Sequence, residues 1–219
     1  MSALPTTAVV LLSGGLDSVV AAALWLERGG KIALCLTMDY GQRAAIRERE
    51  AAERFCRARG LLHQSLALPW LAALSRQKGT ALVDTARSLP QGTLAAPGDE
   101  RSAMAVWVPA RNAVFLAIAA AHAETLGAGT VVAGFNREEA ATFSDNSEAF
   151  VAAGSAFFAL GAQPPVAVAS PTLAMDKRAI VQNARRLGLG PADLWSCYTS
   201  GPAPCGSCES CLRSARAWA

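Results

Sequence analysis

The stretch TAVVLLSGGLDS, residues 7–18, decides the fold, because an apolar run meets two glycines and then a helix-forming segment. Residues 7–12 predict a buried first strand, and the alanine-rich residues 18–28, followed by two more glycines, predict a helix. A glycine turn exposes backbone N–H groups, and the helix start adds the positive end of its dipole. We therefore predict an anion site here, with an ordinary strand–turn–helix as the alternative.

The glycine turn differs from the two commonest nucleotide loops. No Gly-Lys-Ser/Thr follows it, and it lacks the Gly-x-Gly-x-x-Gly of dinucleotide-binding folds. Ser13 and Ser18 add hydroxyl donors, whereas the carboxylate of Asp17 would repel a phosphate. Asp17 is therefore predicted to cap the helix or to bind Mg²⁺ on the phosphates.

Short apolar runs alternate with amphipathic stretches along most of the chain, which predicts βαβ units and a doubly wound, Rossmann-like α/β fold with a parallel sheet. Further strands are predicted at residues 31–38, 61–68, 130–134 and 166–170, and further helices at 43–59, 111–126, 147–160 and 176–187. Glycines and prolines in residues 69–105 predict an irregular lid or substrate loop. Residues 135–146 predict a second irregular loop.

The composition excludes several classes of protein. The 219 residues carry a net charge of +3 and are 52% hydrophobic, yet no apolar run approaches the roughly 20 residues of a membrane span. The first residues lack the basic region of a secretory signal. The mild positive charge suits a small anionic ligand, and no basic-aromatic pattern indicates nucleic acid. We expect a cytoplasmic protein without a membrane partner.

Four of the six cysteines lie near the C-terminus, as Cys197-x7-Cys205-x2-Cys208-x2-Cys211. Four thiolates predict a closed, structural Zn²⁺ site, with an iron–sulfur cluster as the alternative. Disulfides are disfavoured without a secretion signal. Arg213 and Arg216 are predicted to offset the charge of the thiolates. The other two cysteines, Cys35 and Cys56, are predicted to be small buried hydrophobic residues.

The loop of residues 13–18 resembles the signature of the ATP pyrophosphatases, which cleave ATP between its α and β phosphates. The resemblance implies AMP and pyrophosphate as products. It also implies an ATP-binding domain over residues 1–187, followed by the cysteine-rich zinc-binding segment 188–219, which is predicted to be loop apart from the metal site. The implied ATP-binding residues are Leu12, Ser13, Gly14, Gly15, Leu16, Asp17, Ser18 and Asp39.

Residues 39–43 (DYGQR), residues 108–112 (VPARN) and the terminal cysteines resemble one branch, the 7-cyano-7-deazaguanine synthases of the QueC family. This resemblance implies conversion of 7-carboxy-7-deazaguanine and ammonia to a nitrile with Mg-ATP, by a homodimer. Arg111 and Lys177 each begin a predicted helix and, with Asp17, form the expected catalytic group, the cations facing the α-phosphate. The expected substrate-binding residues are Tyr40, Gln42, Arg43, Asn112, Glu138, Glu139 and Asp145.

Three positions depart from the family pattern: Ala44 stands where histidine is frequent, Ala110 where glycine is usual, and Ser144 where proline is common. The departures leave two other enzymes open. One is a related ligase that couples a deazaguanine carboxylate to a different amine, and the other is a tRNA thiolation enzyme. A non-catalytic nucleotide-binding or zinc-stabilised interaction protein would need a decayed phosphate loop, whereas this loop is intact.

Overall fold

A five-stranded parallel sheet forms the centre of the computed structural model, which describes residues 7–91 and 100–219. The strands are β1 (Thr7–Leu11), β2 (Lys31–Asp39), β3 (His63–Ala67), β4 (Thr130–Val132) and β5 (Ala167–Ala169). Their order is β3-β2-β1-β4-β5, and every neighbouring pair is parallel. The predicted doubly wound parallel sheet is confirmed.

Nine α-helices are described around this sheet. They are α1 (Leu16–Glu27), α2 (Ala45–Arg59), α3 (Pro69–Lys78), α4 (Glu100–Val106), α5 (Arg111–Thr125), α6 (Arg137–Ala140), α7 (Glu148–Gly161), α8 (Lys177–Arg186) and α9 (Glu209–Trp218). Within residues 7–91 and 100–219, no helix has the length and apolar character needed to cross a membrane.

The two faces of the sheet bury two separate cores, because side chains along a strand point alternately to opposite sides. Val9 of β1 packs with Leu116 of α5 and Phe158 of α7 on one face. Val10 packs with residues of α1 and with Ile180 of α8 on the other. Cys35 and Cys56 are free, buried thiols in or beside this second core, as the sequence predicts.

The prediction of one irregular stretch over residues 69–105 is wrong. Residues 69–78 form α3, because Pro69 occupies a first-turn position where its fixed φ suits a helix. Gly79 then ends α3 in the left-handed region, at φ 78°. Residues 100–106 form α4, and residues 92–99 lie outside the described residues.

Two further loop predictions also need correction. Residues 135–146 contain α6 and a 3₁₀ turn, Ser144–Asn146, rather than irregular chain alone. The C-terminal segment contains a 3₁₀ turn, Pro191–Asp193, and the ten-residue α9. The ten residues of α9 are few, and the cysteine spacing within them was interpreted as a metal site rather than as part of a helical pattern.

The order of the strands places a crevice beside β1. The chain passes from β1 to β2 on one side and enters β4 on the other, so the direction of winding reverses at β1. Open parallel sheets bind ligands at such a reversal, outside the carboxyl ends of the strands. The glycine turn that follows β1 lies at this edge.

Candidate active site

One cavity of about 320 Å³ opens at the carboxyl edge of β1 and β4. It is lined by the glycine turn, by Lys177 and by a set of apolar and aromatic side chains. The predicted site residues that line it are Leu12, Ser13, Gly15, Leu16, Asp17, Ser18, Tyr40, Gln42, Arg111, Asn112, Glu139, Asp145 and Lys177. The turn and the two predicted cations therefore share one cavity.

The glycine turn is held by a ring of hydrogen bonds between its two serines. The Ser18 hydroxyl donates to the Gly15 carbonyl over 3.1 Å, so the Ser13 N–H and hydroxyl donate to Ser18 Oγ, over 3.2 and 3.0 Å. Gly15 is the N-cap of α1 and makes no side-chain cap bond, so the start of α1 faces the cavity without a carboxylate cap. Asp17 therefore does not cap α1, which removes one of its two predicted roles.

Two glycines are required because other backbone passes close to them. A Cβ on Gly14, at φ 76°, would lie 2.4 Å from the carbonyl oxygen of Glu48 in α2. A Cβ on Gly134, just after β4, would lie 2.5 Å from the amide nitrogen of Ser18. The start of α1 is thus wedged between α2 and the end of β4 with no space for a side chain.

Four charged side chains in the cavity form a continuous series of ion pairs, in the order Asp17, Lys177, Glu139 and Arg213. Lys177 Nζ lies 2.5 Å from Asp17 Oδ2 and 3.1 Å from Glu139 Oε1. Arg213 Nη1 lies 3.3 Å from the same Glu139 oxygen. Burial alone would lower the pKa of Lys177, but Asp17 and Glu139 outweigh it and raise that pKa. Lys177 is therefore a permanent cation here.

Glu139 stays ionised for the complementary reason. Burial alone would raise its pKa, but Lys177 and Arg213 outweigh the effect and lower it. The other oxygen of the Asp17 carboxylate, Oδ1, is buried and has no hydrogen-bond partner among the described residues. A buried carboxylate oxygen without a donor is available to a cation or to a ligand.

The second cation, Arg111, is the first residue of α5 and is held by weaker contacts. Its Nη1 donates to Tyr40 Oη over 3.4 Å, and its Nε donates to Asn112 Oδ1 over 3.4 Å. Ala110 precedes it with φ 48°, the left-handed region that favours glycine. The position at which this chain departs from the glycine of the family pattern is thus a strained one.

Four predicted site residues lie outside the lining of the cavity. Gly14 lies against α2, and the Asp39 carboxylate accepts the N–H of Gly41 over 2.9 Å. Arg43 donates to the carbonyl oxygens of Asp84 and Arg87. Glu138 Oε2 accepts the N–H of Lys177, at the start of α8, over 3.0 Å.

The cavity has other lining residues that the sequence did not single out. Examples are Glu48, Trp107, Phe115, Phe143, Ser196, Tyr198 and Ser210, and Arg213, which was predicted for another role, also lines the cavity. Glu48 lies in α2, which has many charged residues, and the sequence pattern of such a helix predicts that its charges face solvent. Arg213 is bonded to Glu139 and Glu209 rather than to cysteine sulfur, which corrects its predicted role beside the thiolates.

The four C-terminal cysteines converge, with all four sulfur atoms within 4.8 Å of one another. Zn–S bonds of about 2.3 Å place tetrahedral sulfurs about 3.8 Å apart, and Cys205 Sγ lies 3.9 Å from Cys211 Sγ. The amides of Thr199 and Cys205 donate to Cys197 Sγ, and that of Cys208 donates to Cys205 Sγ. Such N–H donors stabilise thiolate charge, so the cluster fits a metal ion.

The cysteine segment is hydrogen-bonded to the N-terminal part of the chain. The amide of Trp195 donates to the Gly14 carbonyl over 2.9 Å. The Ser200 hydroxyl donates to the Arg43 carbonyl over 2.7 Å, and Arg47 Nε donates to the Gly201 carbonyl over 3.0 Å. The segment therefore contacts both the glycine turn and α2.

Glu48 gives a pH-dependent prediction. Burial raises its pKa to about 6, against the opposing hydrogen bond from Gln42 Nε2 at 2.8 Å. The folded protein favours the neutral carboxyl group of Glu48. The stability that this neutral group contributes is therefore present below about pH 4.3 and is lost as the pH rises through about 6. We expect Glu48→Gln, which can still accept the Gln42 bond, to raise the free energy of unfolding by up to about 2 kcal/mol at pH 8.

Urea unfolding of both proteins at pH 8 and pH 4.3 checks this expectation, since most of the gain should be lost at the lower pH. Glu53→Gln, on a solvent-facing part of the same helix, controls for loss of a helix carboxylate. A gain that is the same at both pH values would show that Glu48 is not the group responsible.

Comparison with known proteins identifies a family for the chain. The family model described as queuosine biosynthesis protein QueC matches residues 7–219. A 7-cyano-7-deazaguanine synthase of Pelotomaculum thermopropionicum is 46% identical over 218 residues, which cover 95% of each chain.

Two solved structures share the fold at low sequence identity. NMN synthetase from Francisella tularensis aligns with 90% of this chain and 69% of its own, at 14% identity and a TM-score of 0.52. The U34-tRNA thiolase NcsA from Methanococcus maripaludis, solved with its [4Fe-4S] cluster, aligns with 97% of this chain and 64% of its own, at 16% identity and the same TM-score. At these identities the likeness shows the fold alone.

Proposed function

The chain belongs to the QueC family of queuosine biosynthesis proteins, and on that premise we propose that it converts 7-carboxy-7-deazaguanine to 7-cyano-7-deazaguanine with ATP and ammonia. The observation that carries the proposal is the end-to-end match to a synthase of that name, at 46% identity. The cavity supports it, because it combines a phosphate-binding turn with two cations and an aromatic wall.

The chemistry requires activation of an oxygen twice. A carboxylate oxygen attacks the α-phosphorus of ATP and pyrophosphate leaves; ammonia then attacks the acyl adenylate, loses a proton and expels AMP to give an amide. A second ATP adenylates the amide oxygen in the same way, and loss of AMP with the remaining N–H protons gives the nitrile. Two ATP are thus consumed, with two AMP and two pyrophosphate as products.

The residues of the cavity are proposed to assist adenylation according to their charge. The start of α1 offers backbone N–H groups to the phosphates, whereas the hydroxyls of Ser13 and Ser18 are donated within the turn and hold its shape. Lys177 and Arg111 offset the charge that builds on the α-phosphate as the oxygen attacks, which is the largest single contribution available to such a site. Mg²⁺ would neutralise the leaving pyrophosphate, and the unpartnered Oδ1 of Asp17 is the oxygen that fits it.

The aromatic side of the cavity is proposed to hold the deazaguanine. Trp107 and Phe143 stack at 6.1 Å between ring centroids, and Phe115 packs on Tyr40 at 5.7 Å. Asp17 and Glu139 are engaged by cations, so the carboxylates left to accept N–H groups of a guanine-like edge are Asp145 and Glu48. Asp145 belongs to the predicted substrate set, whereas Glu138 faces the start of α8.

We propose zinc for the cysteine site, in preference to an iron–sulfur cluster. Each thiolate of a four-iron cluster binds a different iron, whereas a single ion gathers all four sulfurs around one point. Sulfur atoms within 4.8 Å of one another suit the single ion. We also predict that the protein is a homodimer and is cytoplasmic. The boundary between its ATP-binding domain and its cysteine-rich segment is predicted at residue 187.

The function is tested by incubating the protein with 7-carboxy-7-deazaguanine, ammonium and Mg-ATP. We expect a product with the mass of the nitrile, together with AMP and pyrophosphate, because the oxygen displaces at the α-phosphorus. ADP and phosphate would contradict this class of reaction. Adding primary amines in place of ammonium distinguishes the related ligase, which would give a substituted amide.

A further inference from the structure

Arg213 connects the cysteine cluster to the cavity that contains the glycine turn. Cys208 is the N-cap of α9 and Cys211 is the buried residue of that helix, so the cluster holds its start. Arg213 follows Cys211 by two residues, and only 19% of its side chain is exposed. The cluster thus delivers a guanidinium to the cavity that contains the glycine turn.

The charges around Glu139 show why this guanidinium matters. Glu139 Oε1 lies between Lys177 Nζ, at 3.1 Å, and Arg213 Nη1, at 3.3 Å. Lys177 Nζ also forms an ion pair with Asp17. Glu209 pairs with the other terminal nitrogen of Arg213. These five groups carry three negative charges and two positive ones, a net −1 that becomes −2 without Arg213.

We propose that Arg213 is a positioning residue for ATP, which acts by binding Glu139 and so leaving Lys177 to Asp17 and the phosphates. The proposal rests on the use of ATP proposed above. Without Arg213, one ammonium must serve two carboxylates, and Lys177 is drawn toward Glu139. The phosphates of ATP would then meet a more negative site with a less available cation.

The same geometry links ATP binding to the metal. The far end of α9 packs on the second core through Ala217 and Trp218, and Arg185 of α8 donates to the Trp218 carbonyl. The start of α9 has its buried anchor in Cys211. Loss of the metal should therefore release the start of the helix, with Arg213, while its far end stays in place.

The test compares Arg213→Gln and Arg213→Lys with Arg216→Gln, a matched change at an exposed arginine of the same helix. Calorimetric titration with Mg-ATP, without acceptor, should show a Kd raised about tenfold or more for Arg213→Gln. Arg213→Lys should recover part of the affinity, and Arg216→Gln should match the wild type. Metal content should stay that of the wild type in all three, and circular dichroism should show each of them to be folded.

Wild-type affinity in Arg213→Gln would overturn the proposal. Metal loss in that variant, or equal weakening in Arg216→Gln, would also overturn it, because Arg213 would then act on the metal segment or through general surface charge. Failure of the wild type to bind Mg-ATP would instead refute the proposed function itself.

The link to the metal is tested by chelation. Metal-free wild type, kept folded as judged by circular dichroism, should bind Mg-ATP as weakly as Arg213→Gln, and chelating that variant should cause little further loss. Unchanged affinity in folded, metal-free wild type, or fully additive losses, would overturn the link.

Discussion

Lys177→Met is expected to lower the kcat/KM for ATP-dependent turnover by about 10³-fold. Lys177 Nζ lies between Asp17 and Glu139 in the cavity, and its side chain is 14% exposed, so its charge is little screened by water. Methionine has a similar length without the charge. The variant therefore leaves two carboxylates without their shared cation, facing the phosphates of ATP.

Exchange of labelled pyrophosphate into ATP in the presence of the carboxylate substrate measures the first adenylation directly. Arg178→Met, at the exposed neighbouring position of α8, is the matched control and should keep near wild-type exchange. Circular dichroism and melting temperature separate lost chemistry from lost structure. Exchange within tenfold of the wild type in a folded Lys177→Met protein would show that the ammonium does not act on the α-phosphate.

Cys208→Ala is expected to remove the metal and to lower the melting temperature by about 10 °C, since loss of a structural metal belongs among the largest destabilising changes and about 3 kcal/mol moves the melting point that far. Cys208 is 2% exposed and is also the N-cap of α9. Losing its thiolate opens the coordination sphere, and the start of α9 then loses its attachment to the metal. Elemental analysis should give about one zinc per wild-type chain.

Cys56→Ala serves as the control, because it removes a buried thiol outside the cluster. It should keep its zinc and melt closer to the wild type. A Cys208→Ala protein with the wild-type melting temperature would refute a structural role for the metal. Iron with visible absorbance in the wild type would favour the cluster seen in the tRNA thiolase.

The parallel sheet and the convergence of the cysteines could be predicted because their signals are local. A strand, a glycine turn and a helix start are consecutive in residues 7–18, and the four cysteines lie within fifteen residues of chain. The loop predictions that failed, over residues 69–105, residues 135–146 and the C-terminal segment, concern short helices. Pro69 begins the first of these helices, and Cys208 of the cysteine cluster is the N-cap of the last.

The sequence by itself determined the fold class, the glycine turn after β1 and the cysteine cluster, since patterns along the chain or residues close together in it carry each of them. Only the tertiary structure decided which charges meet. Lys177 reaches Asp17 across 160 residues of chain, and Arg213 reaches Glu139 across 74. A charge beside solvent and a charge in a cavity look alike in a sequence, because burial depends on elements that only the folded sheet brings to one edge.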